Sequence, residues 1–252
     1  MSFVEGSYDQ VPSAMIPSQG LYEESETKQA RLGTKLLVGE RTFRYAWASN
    51  AHVKAVVVGS LCDDDHEATV TVAHPAGTFD VTITAEGAIT ANQYTDGYLV
   101  VTSATGAGDI LRIKEHAACA SGTFTLTLLD PLRLAWDLTT CVTLRQSPYR
   151  TVALTAAAGA QLIPPAGITL DAVTDEYYYW LQTGGPAGVL IDATGSFGAV
   201  VTERYAIVST NVAGAVMKPE AAGQTPIVGL VYTNAEDYVD TEYDIIILQL
   251  DS

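Results

Sequence analysis

The sequence predicts an all-β protein, built of short-stranded β-barrel or β-sandwich modules behind an extended N-terminal arm. Apolar residues alternate with Thr or Asp in Thr69-Val-Thr-Val72, Phe79-Asp-Val-Thr-Ile-Thr84 and Thr123-Phe-Thr-Leu-Thr-Leu-Leu129. That period of two belongs to a strand with one buried face. Such runs recur at intervals of roughly ten residues, separated by Gly- or Pro-bearing turns. Amphipathic helical periodicity is almost absent, which points to barrels or sandwiches.

The elements follow in chain order. Residues 1–31 are polar and non-periodic, broken by Pro12 and Pro17 and by Glu23, Glu24 and Glu26. They read as an arm dotted with isolated apolar side chains: Phe3, Tyr8, Met15, Ile16, Leu21 and Tyr22. An arm of this composition cannot bury those groups on itself, so it is either disordered or laid across a partner. Residues 32–150 read as a β-rich module. It opens on two short runs around Gly39-Glu40, where a glycine in the first central position suits a type II′ hairpin turn. Residues 46–60 fit either a short helix or a buried strand. Tyr98–Thr102 and Ile110–Ile113 flank the turn Thr105-Gly-Ala-Gly-Asp109. Asp130-Pro131 ends the next strand, and Leu132–Leu138 allows one helical turn. Cys141–Leu144 is a further strand.

A change of module is read between Ser147 and Pro165, where Pro164-Pro165 cannot continue a ladder. Residues 151–252 read as a C-terminal barrel-like module, with strands at Tyr177–Thr183, Gly188–Ile191, Tyr205–Val208, Pro226–Tyr232 and Tyr243–Leu250. A weak internal echo links the aromatic strand and Gly-rich turn at Tyr98–Leu111 with Tyr179–Leu190, as a duplicated hairpin or by chance. In Tyr177-Tyr-Tyr-Trp180 one face of the strand must be core. The other is exposed, or buried in an interface where Tyr and Trp are enriched.

Composition narrows the function. The 252 residues carry 13 basic and 29 acidic side chains, a formal charge of −16. Nucleic-acid binding depends on Lys and Arg neutralising phosphates, so this balance disfavours it. The longest apolar stretches fall short of the ~18 residues of a membrane helix, and no basic-then-apolar leader opens the chain. Synthesis in a cytoplasm is expected. Cys62, Cys119 and Cys141 are odd in number and widely spaced, which suggests buried free thiols.

Catalytic and metal signatures are missing. Gly106-Ala-Gly108 lacks the third glycine and the helix that would hold a pyrophosphate, so it reads as a tight turn. Cys62-Asp-Asp-Asp-His-Glu67 is the densest set of candidate ligands. It has no Asp-x-Asp-x-Asp-Gly pattern and no second Cys/His pair, and reads as a solvated acidic loop. His52, His74 and His116 have no local Asp or Ser signature. No cofactor and no enzymatic activity are expected. A carbohydrate-active enzyme with two facing carboxylates stays open as a rival, because such spacing is invisible in sequence.

Several motifs resemble tailed-phage head proteins of the decoration, or cement, type. They are Leu32-Gly-Thr-Lys with Gly39–Ala46, Tyr94-x-Asp-Gly-Tyr-Leu-Val-Val-Thr102, Gly106-x-Gly with Ile113-Lys114, Thr123–Leu132, Tyr178–Ala187, Val212–Val216, Pro226–Gly229 and Glu242–Leu250. The resemblance spans most of the chain but not its first thirty or so residues, nor the acidic stretch around Asp63. It implies a virion structural protein that binds the major capsid protein from the outer surface of the head, as a homotrimer, with no nucleic-acid or membrane partner. The arm residues named above would then touch the capsid. The alternative is a tail, baseplate or head-fibre component with glycan or receptor binding.

Overall fold

The computed structural model describes residues 18–61, 66–155, 163–193, 204–219, 226–232 and 241–251. Among them every regular element is a strand and there is no helix. The chain forms two compact units, Met1–Leu61 with Tyr149–Ser252, and Cys62–Pro148. The all-β expectation holds. The module boundaries differ: residues 32–61 belong with the C-terminal part, because strands near both ends of the chain pair with each other.

The first unit contains β1 (Lys35–Val38), β2 (Arg41–Trp47) and β3 (Val57–Ser60). After residue 148 it continues with β10 (Val152–Leu154), β11 (Pro165–Thr169), β12 (Tyr178–Leu190), β13 (Tyr205–Val208), β14 (Val216–Met217), β15 (Ile227–Val231) and β16 (Tyr243–Gln249). They make one ten-stranded sheet in the form of a half-barrel. The hairpin β1–β2 closes on Gly39, whose φ of 59° is the left-handed value that the two-residue turn requires. Residues 46–60 resolve to a strand, since Val57, Val58 and Gly59 enter the core ladder.

The spine is β12. It pairs with β2 over Tyr178–Gly184, with β11 at Leu181 and Gln182, and with β16 over Gly184–Leu190. Sequence analysis places a Gly-rich turn at Thr183–Ala187, but β12 runs through it as one 13-residue strand. The glycines have another purpose. Gly185 sits at φ +81°, and a Cβ there would lie 2.3 Å from Glu40 O. The bare backbone lets β12 pass against the β1–β2 turn. The echo is therefore no duplicated hairpin: Gly106 and Gly108, both at positive φ, turn the chain between two strands, whereas Gly184-Gly185 lies within one.

The second unit holds β4 (His66–Thr69), β5 (Asp80–Ala85), β6 (Tyr98–Ser103), β7 (Ile110–His116), β8 (Gly122–Leu128) and β9 (Cys141–Arg145). Their order is β4-β9-β6-β7-β8-β5. A bridge between Val70 and Ile83 brings the end of β4 to β5, so the barrel is nearly closed. Closure removes most of the exposed strand edge. Val81, Ile83, Leu99, Ile113, Leu126 and Leu144 fill the interior with almost no exposure. Each contributes about 1.5–3 kcal/mol by burial. The intervening threonines face out, and Thr82 and Thr125 join hydroxyls across β5 and β8 at 2.9 Å. No helical turn forms at Leu132–Leu138. The chain bends at Arg133 and Leu134 and turns at Leu138, and Trp136 bridges to His74 while its ring is buried in the barrel.

The barrel is an insertion. The chain leaves the first unit at the end of β3 and re-enters it at β10, and these strands pair at Ser60 and Val152. Leu61 N donates to Thr151 O at 2.9 Å. Both crossing points are thus fixed on neighbouring strands of one sheet.

Candidate interaction surface

The arm expectation is corrected over residues 18–31, which are part of the first unit. Gln19 is 4% exposed and acts as a clamp. Its Nε2 donates to Glu23 O at 2.7 Å and to Tyr178 O at 2.8 Å, and its Oε1 accepts from Tyr45 Oη at 2.7 Å. Trp180 Nε1 donates to Gln19 O at 3.1 Å. Further along, Ser25 and Tyr178 exchange two backbone hydrogen bonds, and Gln29 N donates to Tyr45 Oη at 3.1 Å. Burial pushes the Tyr45 hydroxyl pKa up, so it stays a donor throughout the neutral range.

This segment explains the aromatic run. Tyr179 packs with Ala46, Val56, Val152 and Val173 on one side of the sheet, and Trp180 with Leu32, Phe43 and Tyr45 on the other. Both faces are core. The face expected to be exposed or to meet a partner is covered by the chain's own residues 19–32. Tyr178 stacks on Tyr45 with centroids 5.9 Å apart and planes 6° from parallel.

The same fastening assembles an acidic surface from segments about 150 residues apart in sequence. Thr174 donates to Glu24 through its N–H and hydroxyl, both at 2.6 Å, with |i−j| of 150. Tyr177 Oη donates to Glu26 at 2.6 Å, and that bond raises the tyrosine pKa. Glu23, Glu24 and Asp171 line one small cleft, with a cavity volume of about 20 Å³, together with Leu21 and Tyr22. Asp175 and Glu176 follow on the second segment, and neither 20–26 nor 170–177 contains a basic residue. Among the expected capsid-contact residues, Leu21 is half-buried against the Phe43–Trp180 cluster and Tyr22 is 63% exposed. Phe3, Tyr8, Met15 and Ile16 lie outside the described residues.

The barrel carries a second concavity, a groove of about 210 Å³ lined by Glu67, Thr69, Thr84, Glu86, Thr102 and Cys141 among others. Thr69 N donates to Thr84 Oγ1 at 3.0 Å on its wall. Two carboxylates share it, but no aromatic side chain lines it to stack on a sugar ring. The sequence could not show this pairing, because Glu67 and Glu86 come from opposite edges of the six-stranded order. Of the candidate ligands Cys62–Glu67, Cys62, Asp63, Asp64, Asp65 and the side chain of His66 lie outside the described residues. Among those described, no group of three His, Cys, Asp or Glu side chains could hold a metal ion.

The histidines have structural surroundings. His74 Nε2 accepts from Thr82 N at 3.0 Å. His116 Nε2 accepts from Tyr94 N at 3.0 Å, with Nδ1 2.9 Å from Ala117 O. His52 lies 4% exposed beside Tyr179, and burial lowers its pKa. Cys119 and Cys141 are free thiols but only half-buried, less enclosed than expected.

No helix is long and apolar enough to cross a membrane among the described residues. No protein-family model, curated protein or solved structure matches the chain.

Proposed function

We propose that the chain is a virion structural protein, a capsid decoration protein that binds the outer surface of a phage head and strengthens contacts between major capsid protein subunits. The observation that carries the reading is the fixed root of the N-terminal segment. Gln19 is locked to β2 and β12, which fixes the start of the described chain beside the acidic 20–26 segment. A segment of seventeen residues spans at most about 60 Å. Phe3, Tyr8, Met15 and Ile16 supply apolar contact along it, and Tyr22 continues the contact surface at its base. A charge of −16 suits the outside of a shell filled with nucleic acid and favours a partner surface with basic side chains. The motif resemblance supports the same role, as a homotrimer on the capsid.

The test is composition. Purified virions of the source phage contain the protein in stoichiometric, repeated copies if the proposal holds. Its absence from them ends the proposal. Deleting residues 1–17 leaves both units folded and weakens attachment; unchanged occupancy refutes the role given to that segment.

One observation favours a second reading. Glu67 and Glu86 share the barrel groove, an arrangement suited to a glycan-binding or glycan-cleaving component of a tail or fibre. A glycan-array or reducing-sugar signal that is lost in Glu67→Gln and Glu86→Gln moves the function there.

A further inference from the structure

The strongest remaining feature is one end of the barrel in the second unit. Strands β4, β6 and β8 finish at that end and β5, β7 and β9 begin there, joined by the connections 70–79, 104–109 and 129–140. The chain enters β4 and leaves β9 at the other end. Every large apolar side chain exposed among the described barrel residues lies in these connections or on the first residue of β7. They are Val72, Phe79, Ile110, Leu134 and Leu138, between 39% and 64% exposed. The connections at the other end, 86–97 and 117–121, expose none, and their Ile89 and Tyr94 are buried.

The three connections form one surface. Residues 70–74 run beside 136–140: Val70 N donates to Thr140 O at 3.1 Å, and His74 and Trp136 exchange two backbone hydrogen bonds. Val72 and Leu138 therefore lie opposite each other between those bonds. Further along the same two segments, Gly77 N donates to Leu132 O and Leu132 N to Thr78 O, both at 2.8 Å. The 104–109 turn is tied in as well. Arg133 Nη2 donates to Asp109 Oδ1 at 2.8 Å, and a Cβ on Gly106 would lie 3.3 Å from Trp136 Nε1, so the turn rests on the buried indole. A surface fixed in this way loses little entropy when a partner covers it. Single exposed apolar residues are ordinary, but these five together leave on the order of 400 Å² uncovered, the size of patches that mark interaction sites.

We infer that this end of the barrel docks on an apolar protein surface bordered by lysine or arginine side chains, and, resting on the capsid reading, that this surface belongs to the shell. Charge selects that occupant. Phe79-Asp80, Asp109-Ile110 and Asp137-Leu138 each set a carboxylate beside an apolar residue, and Asp130 adds a fourth. Asp137 accepts from Thr139 N at 2.8 Å and from its Oγ1 at 2.6 Å, bonds that favour the charged form. Arg133 is the one Lys or Arg in the three connections, and it is bonded to Asp109. A second copy would bring these carboxylates against their own kind, and an anionic lipid surface is repelled for the same reason. A partner with an apolar patch and basic side chains around it gains burial at the centre and attraction at the rim.

The experiment is co-sedimentation of the full chain with mature and unexpanded shells, over a concentration series at low and raised salt, beside sedimentation equilibrium without shells. Phe79→Ser/Leu138→Ser weakens shell binding by about 100-fold, on the order of tenfold per apolar anchor. Asp80→Lys/Asp137→Lys weakens it too and removes most of its salt dependence. All four positions are exposed, and a barrel melt like that of wild type verifies the fold of each variant. Wild-type binding that both double variants retain overturns this inference and leaves the capsid reading standing. A wild type that binds neither shell overturns both. An oligomer formed without shells, and dissociated by Phe79→Ser/Leu138→Ser, assigns the barrel end to a second copy, and this too overturns the inference.

Discussion

Replacing Gln19 with Ala removes the side chain that ties the N-terminal segment to the first unit, and the structure sets the size of the effect. The amide makes three hydrogen bonds, to Glu23 O, Tyr178 O and Tyr45 Oη, all at 2.7–2.8 Å. Alanine leaves the Tyr45 hydroxyl on a side chain that is fully buried. A buried group stripped of its partner costs about 1–3 kcal/mol. Gln29 N still donates to Tyr45 Oη, which offsets part of that cost, while the two carbonyl contacts add about 1 kcal/mol between them. The expected destabilisation is about 2–3 kcal/mol. In a unit of this size that lowers the melting midpoint by about 4–12 °C. Differential scanning calorimetry is the assay. The fall is expected in the transition of the first unit, while unfolding of the barrel, residues 62–148, keeps its midpoint. A change within about 0.5 kcal/mol, the range of ordinary surface substitutions, refutes the clamp. Deletion of residues 1–30 lowers the melt at least as far as Gln19→Ala.

Further outcomes follow from other contacts. Asp251 accepts from Arg44 Nε at 2.6 Å and from Nη2 at 2.9 Å, and this pairing holds its pKa below the ordinary carboxylate value, with Lys35 adding to it. Because the folded pKa is depressed, the stabilisation is complete above about pH 4 and is lost as pH falls through the folded value; Asp251→Asn removes that acid-limb slope in urea melts. His52 also has a lowered folded pKa, from burial, so stability declines as pH drops below about 6.5, and His52→Phe flattens that slope. Tyr179 Oη is buried and has no hydrogen-bond partner among the described residues, so Tyr179→Phe is neutral or stabilises by up to about 1 kcal/mol; a loss above that contradicts the reading. Gly185→Ala places a methyl against Glu40 O at a positive φ and destabilises by more than about 2 kcal/mol, measured by denaturant midpoint.

Much of the fold is legible in local residue patterns, and what is hidden is non-local. The alternation in β5 and β8 marks barrel strands because each has one wet face and one dry one. Gly39-Glu40 and Gly106-Ala-Gly108 read correctly as turns because the left-handed conformation is a local demand on glycine. Gly184-Gly185-Pro186 presents the same local signal and misleads. Its cause is the approach of Glu40, more than 140 residues away in sequence. The module order fails for a related reason. Nothing in Val57–Ser60 announces that its partner is Val152–Leu154, beyond a whole inserted barrel. Leu132–Leu138 could turn helically by itself, but the bridge between Trp136 and His74 ties it to the chain ahead of β5 instead.

The candidate surfaces were less legible still. In the sequence Glu23, Glu24 and Glu26 mark only a segment that supports no long helix or core strand, and nothing local joins them to Asp171, Asp175 and Glu176. Gln19 gave no signal, since a lone glutamine among prolines and serines looks like solvent-facing chain until Tyr45, Tyr178 and Trp180 converge on it.

The central claim is attachment to a capsid from outside, and co-sedimentation of the purified protein with mature and unexpanded shells tests it most directly. The account predicts saturable binding that prefers the mature shell, weakened by raised salt and by deletion of residues 1–17. Binding to neither shell contradicts it.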